Sequence, residues 1–116
     1  MKYTFPLETI YRQTFDFIKS GEKRVETRAG GPKYENIVVG DTVVIECGGD
    51  TFERTVKKVQ KFESIDKMLE VYKPEDINPL VTTAEELKAK YMVFPGYPER
   101  LAKYGIMAFE FENERK

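Results

Sequence analysis

The residues with the most chemical potential sit in one short run, Gly21-Glu22-Lys23-Arg24-Val25-Glu26-Thr27-Arg28. If residues 23–28 are extended, side chains alternate across the strand. Arg24, Glu26 and Arg28 then point one way, and Lys23, Val25 and Thr27 the other. Lys23 has the wrong parity for a flat strand, but it can join the others from the turn that opens the strand, before the pleat is established. The product is an acid flanked by cations, in or beside a cleft. Arg28 offers a planar donor fork to phosphate, carboxylate or a base edge, and Lys23 offers a compact ammonium. Glu26 accepts from an exocyclic amine or a sugar hydroxyl. The same spacing also describes a solvated strand face with a surface ion pair, worth about 0–1 kcal/mol. Alternation alone does not separate the two.

Other elements must hold this run in place. Leu7, Ile10, Tyr11, Thr14, Phe17 and Ile18 recur at helical spacing and predict a helix over 7–20, with Phe15 and Phe17 assigned to the core. Gly21 tolerates the positive φ at which a helix stops. The strand itself is expected over 23–29. Behind it, Ala29-Gly30-Gly31-Pro32 reads as a flexible turn that, with Lys33 and Tyr34, forms a mobile lip beside the charges. Tyr34 and Tyr104 are the candidate stacking surfaces for a base, a contact worth about 1–3 kcal/mol.

This stretch resembles the signature of the ASCH (activating signal cointegrator homology) domain family, in which a helix ends in Gly-x-Lys and x-x-Glu-x-Arg follows on the next strand. The matching residues are Gly21, Lys23, Glu26 and Arg28. Val39-Gly40-Asp41 ahead of an apolar strand and Tyr104-Gly105-Ile106 opening the last strand agree, so the resemblance spans nearly the whole chain. It implies a small PUA-like β-barrel and a cleft that binds RNA or nucleotides; on side-chain chemistry, Lys23, Glu26, Arg28, Tyr34 and Tyr104 are the ligand-binding residues expected there. Some bacterial members are amidohydrolases that remove the acetyl group from acetylcytidine. Their active lysine matches Lys23, their nucleophilic threonine falls at Glu26, and their acidic partner falls near Leu80. Two of the three positions therefore depart from that pattern. Lys23 and Glu26 are left as the candidate catalytic pair of an alternative reading, a small hydrolase acting on modified nucleosides or RNA.

Composition narrows the chemistry further. The chain has 116 residues, which reads as a single domain over 1–116 that buries more than about 60% of its unfolded surface without staples. It contains no histidine and one cysteine, Cys47. That excludes the usual zinc sites, Ser-His-Asp triads, Cys-His dyads and an intrachain disulfide framework. Any catalysis must run on Lys, Asp, Glu, Tyr, Ser or Thr, and no metal or cofactor is expected. Cys47 lies in an apolar run and reads as a buried, inert thiol. Net charge is −1, with 19 basic and 20 acidic residues. So even a balance argues against a duplex-DNA binder working through phosphates, and places any nucleic-acid contact in a local pocket that suits single-stranded RNA, a nucleotide or a nucleoside. No apolar stretch approaches the roughly 20 residues of a membrane span. Residues 1–6 lack a signal-peptide core, so a cytoplasmic location is expected. Oligomeric state does not follow from these features.

The remaining chain reads as strands at 2–6, 42–47, 52–62 and 106–112, with a bulge near Lys57-Lys58 where the parity of Phe52 and Val56 changes to that of Val59. Lys57, Lys58 and Lys61 read as solvated edge charges. Asp41 tightens the turn before the second of these strands. Ser64 caps a helix carrying Ile65, Met68, Leu69 and Tyr72, residues 74–82 are irregular, and Thr83 with Glu86 forms a capping box for a helix reaching Met92. A short helix over 98–103 follows. In the last strand Met107, Phe109 and Phe111 are expected inward, with Glu110 and Glu112 outward. An acidic second half and the 74–82 segment also admit a protein-interaction module. The fold class expected is α+β: a small barrel of about five to six strands with peripheral helices.

Overall fold

The computed structural model describes residues 1–112, so the fraying expected of Glu114-Arg115-Lys116 lies outside the described residues. Among these residues, five strands run β1 (Lys2–Leu7), β2 (Val25–Ala29), β3 (Thr42–Cys47), β4 (Asp50–Phe62) and β5 (Ile106–Phe111). They form one mixed sheet in the order β1-β3-β4-β5-β2. The β1/β3 pair is parallel and the other pairs are antiparallel. β1 and β2 are thus the two edges. Among the described residues, five helices surround the sheet: α1 (Arg12–Ser20), α2 (Ile65–Met68), α3 (Pro74–Ile77), α4 (Ala84–Met92) and α5 (Tyr97–Tyr104). The α+β class is as expected.

The curl has a local cause. In β4, Val56 pairs with Phe111 and Lys58 with Glu110, which leaves Lys57 as an extra residue without a register partner. Such a bulge bends its strand and raises the twist, the device that lets a sheet turn back on itself. It stands where the parity of the apolar residues slipped.

Two cores share β5. Phe5, Phe15, Val43, Ile45, Val56, Met107 and Phe109 fill the inside of the curl. Val25, Phe62, Met68, Ile77, Leu87, Tyr91, Ile106 and Ala108 form a second core, under α2 to α5. The inward/outward alternation expected of the last strand therefore fails over Ile106 to Phe109, which is buried on both faces because the helices cover the side assumed to face water.

Local chemistry explains most element ends, and some boundaries shift. The first helix begins only at Arg12, because Leu7 belongs to β1 and a 3-10 turn, Thr9–Tyr11, intervenes. It stops at Gly21, in the left-handed region at φ 88°. Ser64 Oγ accepts from the Lys67 amide at 3.2 Å, and Thr83 Oγ1 from the Glu86 amide at 3.2 Å, so both expected caps form. Residues 74–82 are not wholly irregular: Pro74 opens α3, and its last residue, Ile77, is buried. Asp41 Oδ2 accepts from the Val38 amide at 2.9 Å, the turn role expected of it. Cys47 is buried.

The Gly30-Gly31 turn is packed rather than a mobile lip. The Gly30 amide donates to the Gly105 carbonyl at 2.9 Å. A Cβ on Gly30 would lie 2.6 Å from the Tyr104 carbonyl oxygen, so the two chain segments approach too closely for any larger residue.

Candidate functional site at the sheet seam

The sheet curls until its edge strands β1 and β2 face each other, and the space between them is the site. Arg28 of β2 reaches across this seam and donates to the Pro6 carbonyl of β1 at 3.4 Å. Its guanidinium carbon stands 4.8 Å from the centre of the Phe5 ring, a cation–π contact that fixes the plane of the fork. On the same strand, Arg28 Nη2 lies 3.5 Å from Glu26 Oε2.

Lys23 joins from the turn. The Lys23 amide returns to the Phe17 carbonyl at 3.0 Å just after the left-handed Gly21, which places Lys23 ahead of the pleat that begins at Val25. Its ammonium donates to the Ile77 carbonyl at the end of α3 and lies 3.5 Å from Glu26 Oε1. Glu26 Oε1 also accepts from the Thr27 amide at 2.8 Å. Glu26 is 6% exposed, and the Lys23 and Arg28 side chains are 9% and 13% exposed. The solvated-face reading is thereby set aside for these three. Arg24 does not join them; it is exposed and pairs with Asp76 at 3.6 Å.

The electrostatics follow from this packing. Burial pushes the Glu26 carboxyl up, but the charges of Lys23 and Arg28 and the Thr27 amide outweigh it and hold the group below its ordinary value. For Lys23 burial prevails over the attraction of Glu26, and the ammonium is lowered. Burial also opposes the charge on Arg28, yet Glu26, with help from the Tyr34 and Tyr97 phenols, keeps it raised. With Lys23 charged, two cations and one carboxylate give this largely buried cluster one net positive charge.

These groups open onto a cavity of about 410 Å³. That is at the small end of ligand pockets, roughly 300–1,000 Å³, and suits a single ring with its substituents rather than a duplex. The walls are aromatic: Tyr11, Phe17, Tyr91, Phe94 and Tyr97. Tyr11 and Phe94 meet at 5.4 Å between ring centres, and Tyr91 stacks on Tyr97 at 6.1 Å with 9° between planes. Gln13, Asn78 and Lys90 add polar groups. Asn78 Oδ1 accepts from the Leu80 amide at 2.9 Å, which leaves its amide nitrogen to donate.

Two expected site residues are elsewhere. Tyr34 is buried in the first core, where its ring meets Phe5 edge-on at 5.4 Å; it supports Arg28 from behind and presents no stacking face to the cavity. Tyr104 packs over Gly31 and under Lys103, and does not line the cavity. Tyr34 was expected from its nearness in sequence to the charges, whereas the turn at Gly30-Gly31 leads the chain away. Phe17, assigned to the core, is only half-buried and lines the cavity.

Residues missed in the sequence come mainly from α4 and α5. Tyr91 and Tyr97 lie more than sixty positions from Glu26, and no local pattern ties them to it. Thr27 was passed over for its parity, yet it is 6% exposed, lines the cavity and pairs its hydroxyl with that of Tyr91. Leu80, where the amidohydrolases carry their acid, does line the cavity as an exposed apolar residue. Among the described residues no cluster of His, Cys, Asp and Glu is arranged to hold a metal, and no helix is long and apolar enough to cross a membrane.

Comparison with known proteins places these features in a family. A model of the ASCH domain matches residues 9–115. The crystal structure of hypothetical protein PH0355 is similar, with 33% identity over 97% of this chain and 98% of that one, at a TM-score of 0.78. The solution structure of protein PF0455 from Pyrococcus furiosus is similar at 29% identity and a TM-score of 0.75, covering all of both chains. No curated protein matches the chain.

Proposed function

Because this chain belongs to the ASCH domain family, we propose that its seam cavity binds a nucleotide unit, either free or presented by single-stranded RNA. The observation that carries the reading is the convergence of Lys23, Glu26 and Arg28 on one cavity with aromatic walls. A net positive charge in a desolvated site favours a ligand that brings negative charge or a strongly polarised edge. Glu26 stays ionised and has lone pairs left on Oε2, so it selects for a donor such as an exocyclic amine. Tyr11, Phe94 and Tyr97 supply the flat apolar surface on which a base stacks.

A hydrolase has one observation in its favour. Burial lowers the Lys23 ammonium, the direction a general base requires. What it lacks is an activated nucleophile. Glu26 is held by Lys23, Arg28 and the Thr27 amide. The Thr27 hydroxyl pairs with Tyr91, a phenol whose pKa burial pushes up and which is no base near neutral pH. Binding is therefore the reading we adopt.

Calorimetric titration with nucleosides, nucleoside monophosphates and short single-stranded RNAs tests it. Tyr11→Ala removes a half-exposed wall of the cavity and is expected to weaken binding by about 1–3 kcal/mol with the circular dichroism unchanged. If the wild-type protein binds none of these ligands, the reading fails. Incubation with acylated nucleosides, wild type beside Lys23→Met, separates catalysis from binding: turnover that disappears in the variant would restore the hydrolase.

A further inference from the structure

The buried cluster has an order as well as a charge. Lys23 Nζ lies 3.5 Å from Glu26 Oε1, and Arg28 Nη2 lies 3.5 Å from Glu26 Oε2. An ionised carboxylate only accepts hydrogen bonds, whereas an ammonium and a guanidinium only donate them. The hydrogen-bonding groups therefore run donor, acceptor, donor. All three residues line the cavity.

Each group keeps capacity for a ligand. Lys23 gives one N–H to the Ile77 carbonyl and turns another to Glu26, which leaves its third. The Arg28 fork, engaged by the Pro6 carbonyl, Glu26 and the Tyr34 phenol, carries more N–H donors than these partners use. Glu26 Oε1 meets the Thr27 amide and Lys23, while Oε2 meets Arg28 and retains a lone pair. The Thr27 hydroxyl is tied to Tyr91 and does not compete with them.

The complement of this row is an edge that runs acceptor, donor, acceptor. In a single ring of nucleobase size that edge is a cyclic imide, with carbonyl, ring N–H and carbonyl in sequence, as in a pyrimidine-2,4-dione. Cytosine presents donor, acceptor, acceptor, and adenine donor, acceptor. With the amine of either base on Glu26, one of the two cations has no partner on the ligand. Once the ligand has closed the site to water, an unmet donor costs its full desolvation.

We propose that the seam cavity reads the imide edge of a uracil-type ring: Glu26 accepts the ring N–H, Lys23 and Arg28 donate to the flanking carbonyls, and the face of the ring lies on the aromatic wall. The inference rests on the cavity reading above and names the donor that Glu26 takes, a ring N–H between two carbonyls ahead of an exocyclic amine. Charge favours the same choice. An imide N–H is more acidic than an amine N–H and so donates more strongly to a carboxylate, and the carbonyl oxygens bring partial negative charge to the two cations.

Calorimetry with uridine, 3-methyluridine and cytidine tests this, each measured also as its monophosphate with the same ranking expected. Uridine is expected to bind at least about tenfold tighter than cytidine, and methylation of its N3 to cost at least as much, because a site built to pair a ligand N–H rejects analogues that lack it. Lys23→Met removes one flanking donor and leaves Glu26 paired with Arg28, so the preference for uridine over cytidine should fall below about threefold. The ligand series is measured on the wild-type protein and does not depend on the variant's stability. Cytidine binding as tightly as uridine, or 3-methyluridine binding undiminished, would overturn the imide reading and leave the cavity a nucleoside site. A folded Lys23→Met that keeps the full preference would overturn it as well. Failure of every nucleoside and monophosphate to bind would overturn the cavity reading itself.

Discussion

Glu26 is a buried charge whose removal uncovers two others. It lies between Lys23 and Arg28 and is 6% exposed, so removing its charge leaves two buried cations facing each other. Glu26→Gln keeps the shape and loses that compensation; we expect it to cost about 3 kcal/mol, read from urea unfolding at neutral pH. The pH dependence has a definite sign. The folded-state value of Glu26 lies below its unfolded value, so its stabilisation is complete above the unfolded value of about 4.3 and is lost as pH falls through the lower folded one. The folded value of Lys23 is lowered too, so holding this buried base charged costs stability, and that cost sets in as pH falls below the unfolded value of about 10.4. Urea midpoints measured from neutral pH into the acid range should therefore fall more steeply for wild type than for Glu26→Gln. Equal slopes would mean that Glu26 is not held ionised by its neighbours.

At the scale of elements, the site depends on how turns deliver side chains. Gly21 and Gly105 both have positive φ, at 88° and 73°, but they differ in surroundings. A Cβ at Gly21 meets nothing within 4 Å, so Gly21→Ala pays only for the left-handed backbone, about 1 kcal/mol. A Cβ at Gly105 is driven into the Phe62 carbonyl, and its ψ of −160° belongs to a region open essentially to glycine alone. Gly105→Ala should accordingly lower the melting temperature clearly more than Gly21→Ala; the reverse order would contradict the packing of β5 on the end of β4. The α4 cap is a third device. Thr83→Ala leaves the Glu86 amide unpaired at the end of the helix that carries Leu87, Lys90 and Tyr91 into the cavity, and is expected to cost about 1 kcal/mol by chemical denaturation.

Across the whole molecule, β5 is the element both cores need. Phe109 belongs to the inner core and Ala108 to the outer one, one residue apart on the same strand. Phe109→Ala should cost about 3–5 kcal/mol, a large share of the roughly 5–15 kcal/mol that holds a domain of this size folded. Because the strand is shared, the loss should appear as one cooperative transition, with tyrosine fluorescence and far-ultraviolet circular dichroism coincident. Two separated transitions would show that the cores unfold independently. The seam cavity lies between the same two layers, so its geometry depends on both.

Local patterns were enough for everything that local physics governs. The stop at Gly21, the caps at Ser64 and Thr83 and the mutual pairing of Lys23, Glu26 and Arg28 rest on interactions within a few residues, where spacing and side-chain chemistry decide the outcome, and the slip in apolar parity marked the β4 bulge. The exposure of β5, the aromatic walls and the fate of Tyr34 were not legible in that way. They depend on which surfaces meet once the sheet has curled: helices far along the chain cover a face that alternation assigned to water, and the turn at Gly30-Gly31 carries Tyr34 into the core while Tyr91 and Tyr97 take its expected place. Chemistry near in sequence was written in the chain; the neighbours that give it a cavity came from contacts between residues dozens of positions apart, which no periodicity encodes.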